Sequence, residues 1–84
     1  MTNEVDDDTV LNCLGSLLRG RDGAAAGRDL AGRLLADAGG LRALCDASPE
    51  LLRRHRGMGP RRLELLALLP VLARRYFAEA IRTG

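Results

Sequence analysis

The chain is poor in aromatic residues, with one Tyr, one Phe and no Trp among 84 residues, and its basic residues are all Arg. Leucine and alanine supply most of the apolar 46%. Because Leu and Ala favour helices, whereas aromatic and β-branched residues favour strands, this composition excludes an all-β fold. It predicts an all-α domain with an aliphatic core.

Long apolar runs are also missing. The most apolar segment is interrupted by Glu64 and Pro70, so it falls short of the about 20 residues that a membrane span needs. The N-terminus is acidic, where a secretory signal would be basic and then apolar. We therefore expect a soluble, cytoplasmic protein without a membrane partner. In that compartment Cys13 and Cys45 are expected to be buried free thiols rather than a disulfide.

The residues that catalytic and metal sites require are scarce. His55 is the single histidine, and neither cysteine stands at a metal-ligand spacing from it. Ser16 and Ser48 are typical of a helix surface and a helix cap, and His55 of a packed or half-exposed histidine. The sequence predicts no enzymatic activity, no metal and no cofactor.

Charge is distributed unevenly, although the net charge is only +2. Residues 1–8 carry four acids and no base, and we expect them to form a flexible acidic leader that supplies favourable charge to a helix start. An alternative is that Asp6, Asp7 and Asp8 fold over the basic residues. Residues 9–84 then form a single domain. Within it, residues 53–62 hold five Arg and no acid, and we call these five residues the Arg patch.

The hydrophobic periodicity predicts a compact bundle of about five short helices. Glycines or helix-start signals separate them. In chain order, the first helix is capped by Asp8 or Thr9, the second covers about 24–38, the third begins at Leu41, the fourth covers about 49–55 after Ser48, and the last begins at Pro60.

The last helix carries a long apolar face that we expect to lie in the core. Its members recur at helical spacing: Leu63, Leu66, Leu69, Leu72, Ala73, Tyr76, Phe77 and Ala80. Pro70 lies within this helix and lacks an amide proton, so we expect it to kink or divide the helix.

The most informative segment joins the last two helices through Gly57, Met58 and Gly59. A helix, a Gly-hydrophobic-Gly turn and a second helix form the helix-hairpin-helix pattern. The glycines permit a sharp turn and close approach of another backbone, while Met58 is expected to tuck between the helices. Amides of the turn and of the next helix's first residues have no intrahelical partner and can donate to a phosphate.

The basic residues around this turn favour an anionic partner. Arg61 and Arg62 occupy the first turn of a helix, where the helix dipole disfavours cations, and no acid within the segment offsets them. Cations at a helix N-terminus without a nearby acid suggest that an anionic partner binds there. The predicted DNA-binding residues are those of the turn and its flanks, with Arg53 and Arg54 adding to the field: Arg56, Gly57, Met58, Gly59, Arg61 and Arg62.

From about residue 10 to residue 78 the chain resembles the N-terminal helical domain of the RadC family, bacterial proteins named for DNA repair. The motifs that carry the resemblance lie in order along the chain: Leu14-Gly15, Arg19-Gly20-Arg21-Asp22, Leu30-Ala31-x-x-Leu34-Leu35, Gly39-Gly40-Leu41-Arg42-x-Leu44, Ala47-Ser48-Pro49-Glu50-Leu51-Leu52, Gly57-Met58-Gly59-Pro60 and a final helix ending Leu72-Ala73-Arg74-Arg75. The resemblance implies a helix-hairpin-helix module that in the family precedes a JAB/MPN metalloprotease-like domain, whose zinc motif this chain lacks.

These observations predict a module that binds the DNA backbone without base preference, since no helix suited to reading bases is evident. The alternative is a helical interaction module whose Arg patch docks an acidic protein partner or an absent JAB/MPN-like domain. A third interpretation is a homodimer formed through the Leu-rich last helix.

Overall fold

A computed structural model of the protein describes residues 6–83, without the Thr83 side chain. About 78% of this part is helical, and none of it is assigned to a strand. The predicted all-α fold is confirmed. The five helices are α1 (Asp7–Leu17), α2 (Ala24–Ala38), α3 (Leu41–Asp46), α4 (Pro49–Arg53) and α5 (Pro60–Thr83).

Helix α1 begins earlier than the sequence predicted. The Asp6 carboxylate accepts a hydrogen bond of 2.8 Å from the Thr9 amide, so Asp6 is the N-cap and the expected cap at Asp8 or Thr9 is wrong. Hydrogen bonding to the Thr9 side chain, and to a lesser extent to its amide, lowers the pKa of Asp6. Asp7 and Asp8 lie in the first turn of α1, where the helix dipole favours negative charge. Residues 1–5 of the expected leader lie outside the described residues.

Helices α1 and α2 cross at unusually close range. Gly15 and Gly27 are both buried, and a Cβ added to Gly27 would lie 2.7 Å from the carbonyl oxygen of Gly15. Glycine is required at this crossing because a side chain there would meet backbone rather than a movable side chain. Helix α2 then ends at Gly39, which is left-handed with φ of 96° and donates to the Leu35 carbonyl.

The core is aliphatic, as the composition predicted. Its leucines come from all five helices, with Ala31 among them, so each helix is anchored by burial of one or more apolar side chains. The buried residues are Leu14, Leu18, Leu30, Ala31, Leu34, Leu44, Leu52 and Leu66. Both cysteines are free, but Cys13 is exposed and Cys45 only half-buried, so the expectation of two buried thiols is wrong.

Helix α5 departs most from the predicted short-helix bundle. It runs for 24 residues with Pro70 inside it, so the proline does not divide the helix. Leu66 is buried and Leu63 and Leu69 pack beside the core, but every residue from 71 to 82 is exposed. The prediction that the later apolar residues of this helix face the core is therefore wrong, because α5 continues past the shorter helices that would cover it.

Candidate functional site

The turn between α4 and α5 has the conformation that its glycines suggested. Gly57 adopts a φ of 93°, in the left-handed region, and the Met58 amide donates to the His55 carbonyl at 3.1 Å. Met58 is half-buried and packs against the core, which confirms that it points inward. The turn is thus fixed both by its backbone and by a hydrophobic anchor.

Several amides in this turn remain available. Among the described residues, the amides of Gly57, Gly59, Arg61 and Arg62 donate no hydrogen bond. Pro60 has no amide proton, and the regular ladder of α5 begins with the Leu63 amide donating to Gly59 at 3.0 Å. The amides lie at the start of a helix, where the dipole also favours an anion.

Arg62 has a different role from the other basic residues. Its guanidinium donates to the carbonyls of Leu18 and Gly57, each at 2.7 Å, and to the Asp22 carboxylate at 2.8 Å. The side chain is only 14% exposed. Arg62 therefore joins the end of α1, the turn before α2 and the turn before α5.

Asp22 supplies the negative charge for Arg62 that the neighbouring residues in sequence lack. The hydrogen bond from Arg62 lowers the pKa of Asp22, with a smaller contribution from the positive charge itself. The argument that Arg62 is uncompensated is thus wrong, because its acid comes from a turn 40 residues earlier in the chain. The argument stands for Arg61, which is exposed and has no ion-pair partner within the described part of the chain.

A depression of about 390 Å³ lies between the two glycine turns, and we call it the basic depression. Four arginines line it, and Asp22, already paired with Arg62, is the one acid among the described residues that does so. The lining comprises Arg19, Gly20, Arg21, Asp22, Gly57, Gly59, Pro60, Arg61, Arg62 and Leu65. Its net charge is strongly positive.

Arg19 and Arg21 were missed as site residues by reasoning from the sequence. They flank Gly20 in the turn between α1 and α2, and neither has an ion-pair partner among the residues described. The available signal was the similarity of this glycine turn to the Gly57–Gly59 turn. Only the tertiary fold shows that the two turns face one depression.

The structure separates the Arg patch into parts. Arg61 and Arg62 line the basic depression, whereas the side chains of Arg53, Arg54 and Arg56 are exposed outside it. The Arg56 carbonyl accepts a hydrogen bond of 3.1 Å from Arg33, which ties the turn to α2. The patch is therefore not one continuous surface.

His55 and the acidic residues at the N-terminus take structural positions. The half-buried His55 ring lies 3.2 Å from Asp37 on α2, as expected of a packed histidine. Asp7 and Asp8 line a different pocket with Leu41, at the end of α1 away from Leu18. The hypothesis that the acids fold over the Arg patch is thus wrong for Asp6, Asp7 and Asp8.

The fold and this site define a small all-α domain with a basic depression at its helix turns. Within the described residues, none of the helices is long and apolar enough to cross a bilayer. No family model matches the chain, and no solved structure gives a significant match.

Curated proteins do match. A UPF0758 protein of Burkholderia mallei strain SAVP1 is 46% identical over 77 residues, which is 92% of this chain and 26% of the relative. A UPF0758 protein of Alcanivorax borkumensis is 48% identical over 56 residues, covering 67% of this chain and 25% of the relative. A third, from Burkholderia thailandensis, is 44% identical over 77 residues, covering 92% of this chain and 28% of the relative.

These homologues carry the name of the UPF0758 family, which is the RadC-like family. The predicted resemblance is confirmed to that extent: the chain has RadC-like homologues over nearly its whole length. It spans about a quarter of the length of the curated relatives it matches.

Proposed function

We propose that this domain is a helix-hairpin-helix module that binds the phosphate backbone of DNA without base preference. One observation carries the proposal: within the described part of the chain, the amides of Gly57, Gly59 and Arg61 are unpaired and adjoin a depression lined by Arg19, Arg21 and Arg61, which have no acidic partner there. Backbone amides and guanidinium groups are the donors that phosphate oxygens accept. A role in DNA repair would agree with the RadC-like homologues.

The residues divide into contacting and positioning groups. The amides of Gly57 and Gly59 and the side chain of Arg61 contact phosphate, joined by Arg19 and Arg21 across the depression, and Arg56, exposed outside it, adds to the positive field. Met58 anchors the turn in the core, and Arg62 holds the two glycine turns together through its three hydrogen bonds. Arg62 is therefore a positioning residue, and Arg61 beside it is the phosphate contact.

The test is a fluorescence-anisotropy titration with a short duplex of random sequence, at two salt concentrations. Replacement of Arg61 by Gln removes one phosphate contact, so the slope of log K against log salt should fall by about one. The matched control is Arg42→Gln, which makes the same charge change on α3, outside the depression. It should leave the slope nearly unchanged.

Gly59→Ala tests the backbone contact. Nothing lies within 4 Å of a Cβ at Gly59, so the domain should fold normally while the methyl group obstructs a phosphate. We expect several-fold weaker binding. Gly57 is unsuitable for this test, since its φ of 93° would strain any side chain. No binding at low salt, or equal binding by the wild type and both site variants, contradicts the proposal.

The alternative partner is an acidic protein segment docked on Arg53, Arg54 and Arg56, which are exposed outside the depression. Such a segment, or a JAB/MPN-like domain, could lie in a longer protein like the relatives. This hypothesis predicts tolerance of Gly59→Ala and loss of partner binding on replacing Arg53 and Arg54 with Gln. The DNA proposal predicts the opposite: Gly59→Ala weakens binding, and replacing Arg53 and Arg54 has the smaller effect.

A further inference from the structure

The end of α5 exposes an apolar surface. We call residues 71–82 the α5 extension; every one of them is exposed. Five large apolar side chains of this segment are 54 to 80% exposed: Val71, Leu72, Tyr76, Phe77 and Ile81. Both aromatic residues of the protein are among them, in an edge-to-face pair with ring centroids 5.7 Å apart.

The apolar face of the extension continues the face that is buried earlier in the same helix. Leu66 in the core, Ala73 and Ala80 follow one another at intervals of seven residues, so they lie along one side of α5. Larger side chains border this line, with Leu72 and Tyr76 on one side and Phe77 and Ile81 on the other. The helix thus presents a small-residue seam between two large-residue borders.

The size of this face approaches one half of a dimer interface. With roughly 180 Å² for each large side chain, the four that border the seam (Leu72, Tyr76, Phe77 and Ile81) expose about 500 Å². Typical monomers expose largest apolar patches of about 300–600 Å², and a stable interface buries about 800 Å² on each partner. The two alanines and the aliphatic stem of Arg74 would add to this area.

We infer that the α5 extension is the interface through which two copies of this chain pair, with the two helices antiparallel. The face is self-complementary in that orientation. A two-fold axis between Tyr76 and Phe77 places Ala73 of one copy level with Ala80 of the other, since these residues lie at equal distances from it. Small residues at the seam let the helix axes approach closely.

The large aromatic side chains also contact their own symmetry mates about this axis. Tyr76 lies beside its own symmetry mate on one border and Phe77 beside its mate on the other, so the aromatic side chains form the centre of the interface.

This pairing leaves the basic depression free. The Gly57–Gly59 turn lies at the start of α5, and the paired segment lies at its end. At 1.5 Å per residue, the two turns of a dimer would be about 50 Å apart along the helix direction. If the proposed function holds, the dimer would offer two phosphate sites to one DNA duplex, but the pairing itself does not depend on it.

The experiment measures the mass of the whole chain by sedimentation equilibrium from micromolar to millimolar concentration. The expected result is a mass that rises towards twice the 9.0 kDa of the chain. A variant carrying Tyr76→Glu and Phe77→Glu should remain at one chain mass. The control is Leu17→Glu, the same kind of change at an exposed position of α1, 47% exposed, and it should still dimerise.

Orientation is tested by disulfide trapping in a background with Cys13→Ser and Cys45→Ala. The Ala73→Cys and Ala80→Cys variants, mixed and oxidised, should give mainly the mixed disulfide between them. Circular dichroism confirms that each variant is folded. A single-chain mass at millimolar concentration, a dimer that survives the Tyr76 and Phe77 substitutions, or mainly Ala73→Cys homodimers would each overturn the inference.

Discussion

Arg62 should contribute more to stability than any other arginine of the domain. Its side chain is 14% exposed and donates to the carbonyls of Leu18 and Gly57. Both carbonyls lie at chain turns without another donor among the described residues. Hydrogen bonds from charged donors contribute about 1.5 kcal/mol or more each, so Arg62→Gln should lower the free energy of unfolding by about 3 kcal/mol. The exposed pair with Asp22 is left out of this figure.

A loss of this size is large for so small a domain. At about 0.05 to 0.15 kcal/mol per residue, the whole chain has a stability of about 4 to 12 kcal/mol. With an m-value of about 1 kcal/mol/M, the urea midpoint measured by circular dichroism should fall by about 3 M. Arg62→Lys should rescue little, because an ammonium group cannot reach three acceptors in the planar geometry of guanidinium.

Arg61→Gln is the matched control for this measurement. Arg61 precedes Arg62 in the same helix turn, is exposed and has no ion-pair partner among the described residues. Its replacement should change the free energy of unfolding by less than about 0.5 kcal/mol. If the two substitutions lower the urea midpoint equally, the assignment of Arg62 as the residue that joins the turns is refuted.

Three further predictions concern the rest of the domain. Gly27→Ala should lower the free energy of unfolding in urea by about 1–3 kcal/mol, because its Cβ would lie 2.7 Å from a backbone oxygen. Gly32→Ala in the same helix is the control: nothing lies nearer than 3.8 Å to its Cβ, so it should raise the free energy of unfolding by up to about 1 kcal/mol. The pKa of Asp22 is lowered in the folded state, so its contribution to stability is present above the unfolded pKa near 3.8 and is lost as pH falls below it. Asp22→Asn should therefore flatten the fall in the free energy of unfolding in this pH range, measured by urea unfolding at a series of pH values. An unchanged profile would contradict the ion pair. A thiol reagent should modify exposed Cys13 faster than Cys45, since burial, with a smaller effect of Asp46, raises the pKa of the Cys45 thiol; equal rates would contradict these positions.

Local signals in the sequence identified most elements of the fold. Ser48 and Pro49 marked the start of α4, Gly39 the end of α2 and Pro60 the start of α5, as the structure confirms. These signals work because caps, prolines and left-handed glycines act on the residues next to them. The cap of α1 was misplaced because Asp6, Asp8 and Thr9 are all good caps, and only the helix itself selects among them.

The candidate site was only partly predictable. The Gly57–Gly59 turn and exposed Arg61 were recognisable from neighbouring residues, since turn geometry is local. The pairing of Arg62 with Asp22 and the presence of Arg19 and Arg21 at the same depression depend on contacts across some 40 residues. No periodicity or motif in one segment specifies such contacts.

By itself, the sequence determined the helical class, the aliphatic core and the glycine turns, because helix propensity, apolar spacing and backbone freedom are properties of single residues and their neighbours. The tertiary structure decided which apolar and charged residues are partnered. It buried Leu66 yet left Tyr76 and Phe77 of the same face uncovered, because α1 to α4 are too short to reach them. It likewise placed Arg62 in a half-buried position between the turns and Arg61 on the surface, since burial depends on what packs opposite each residue.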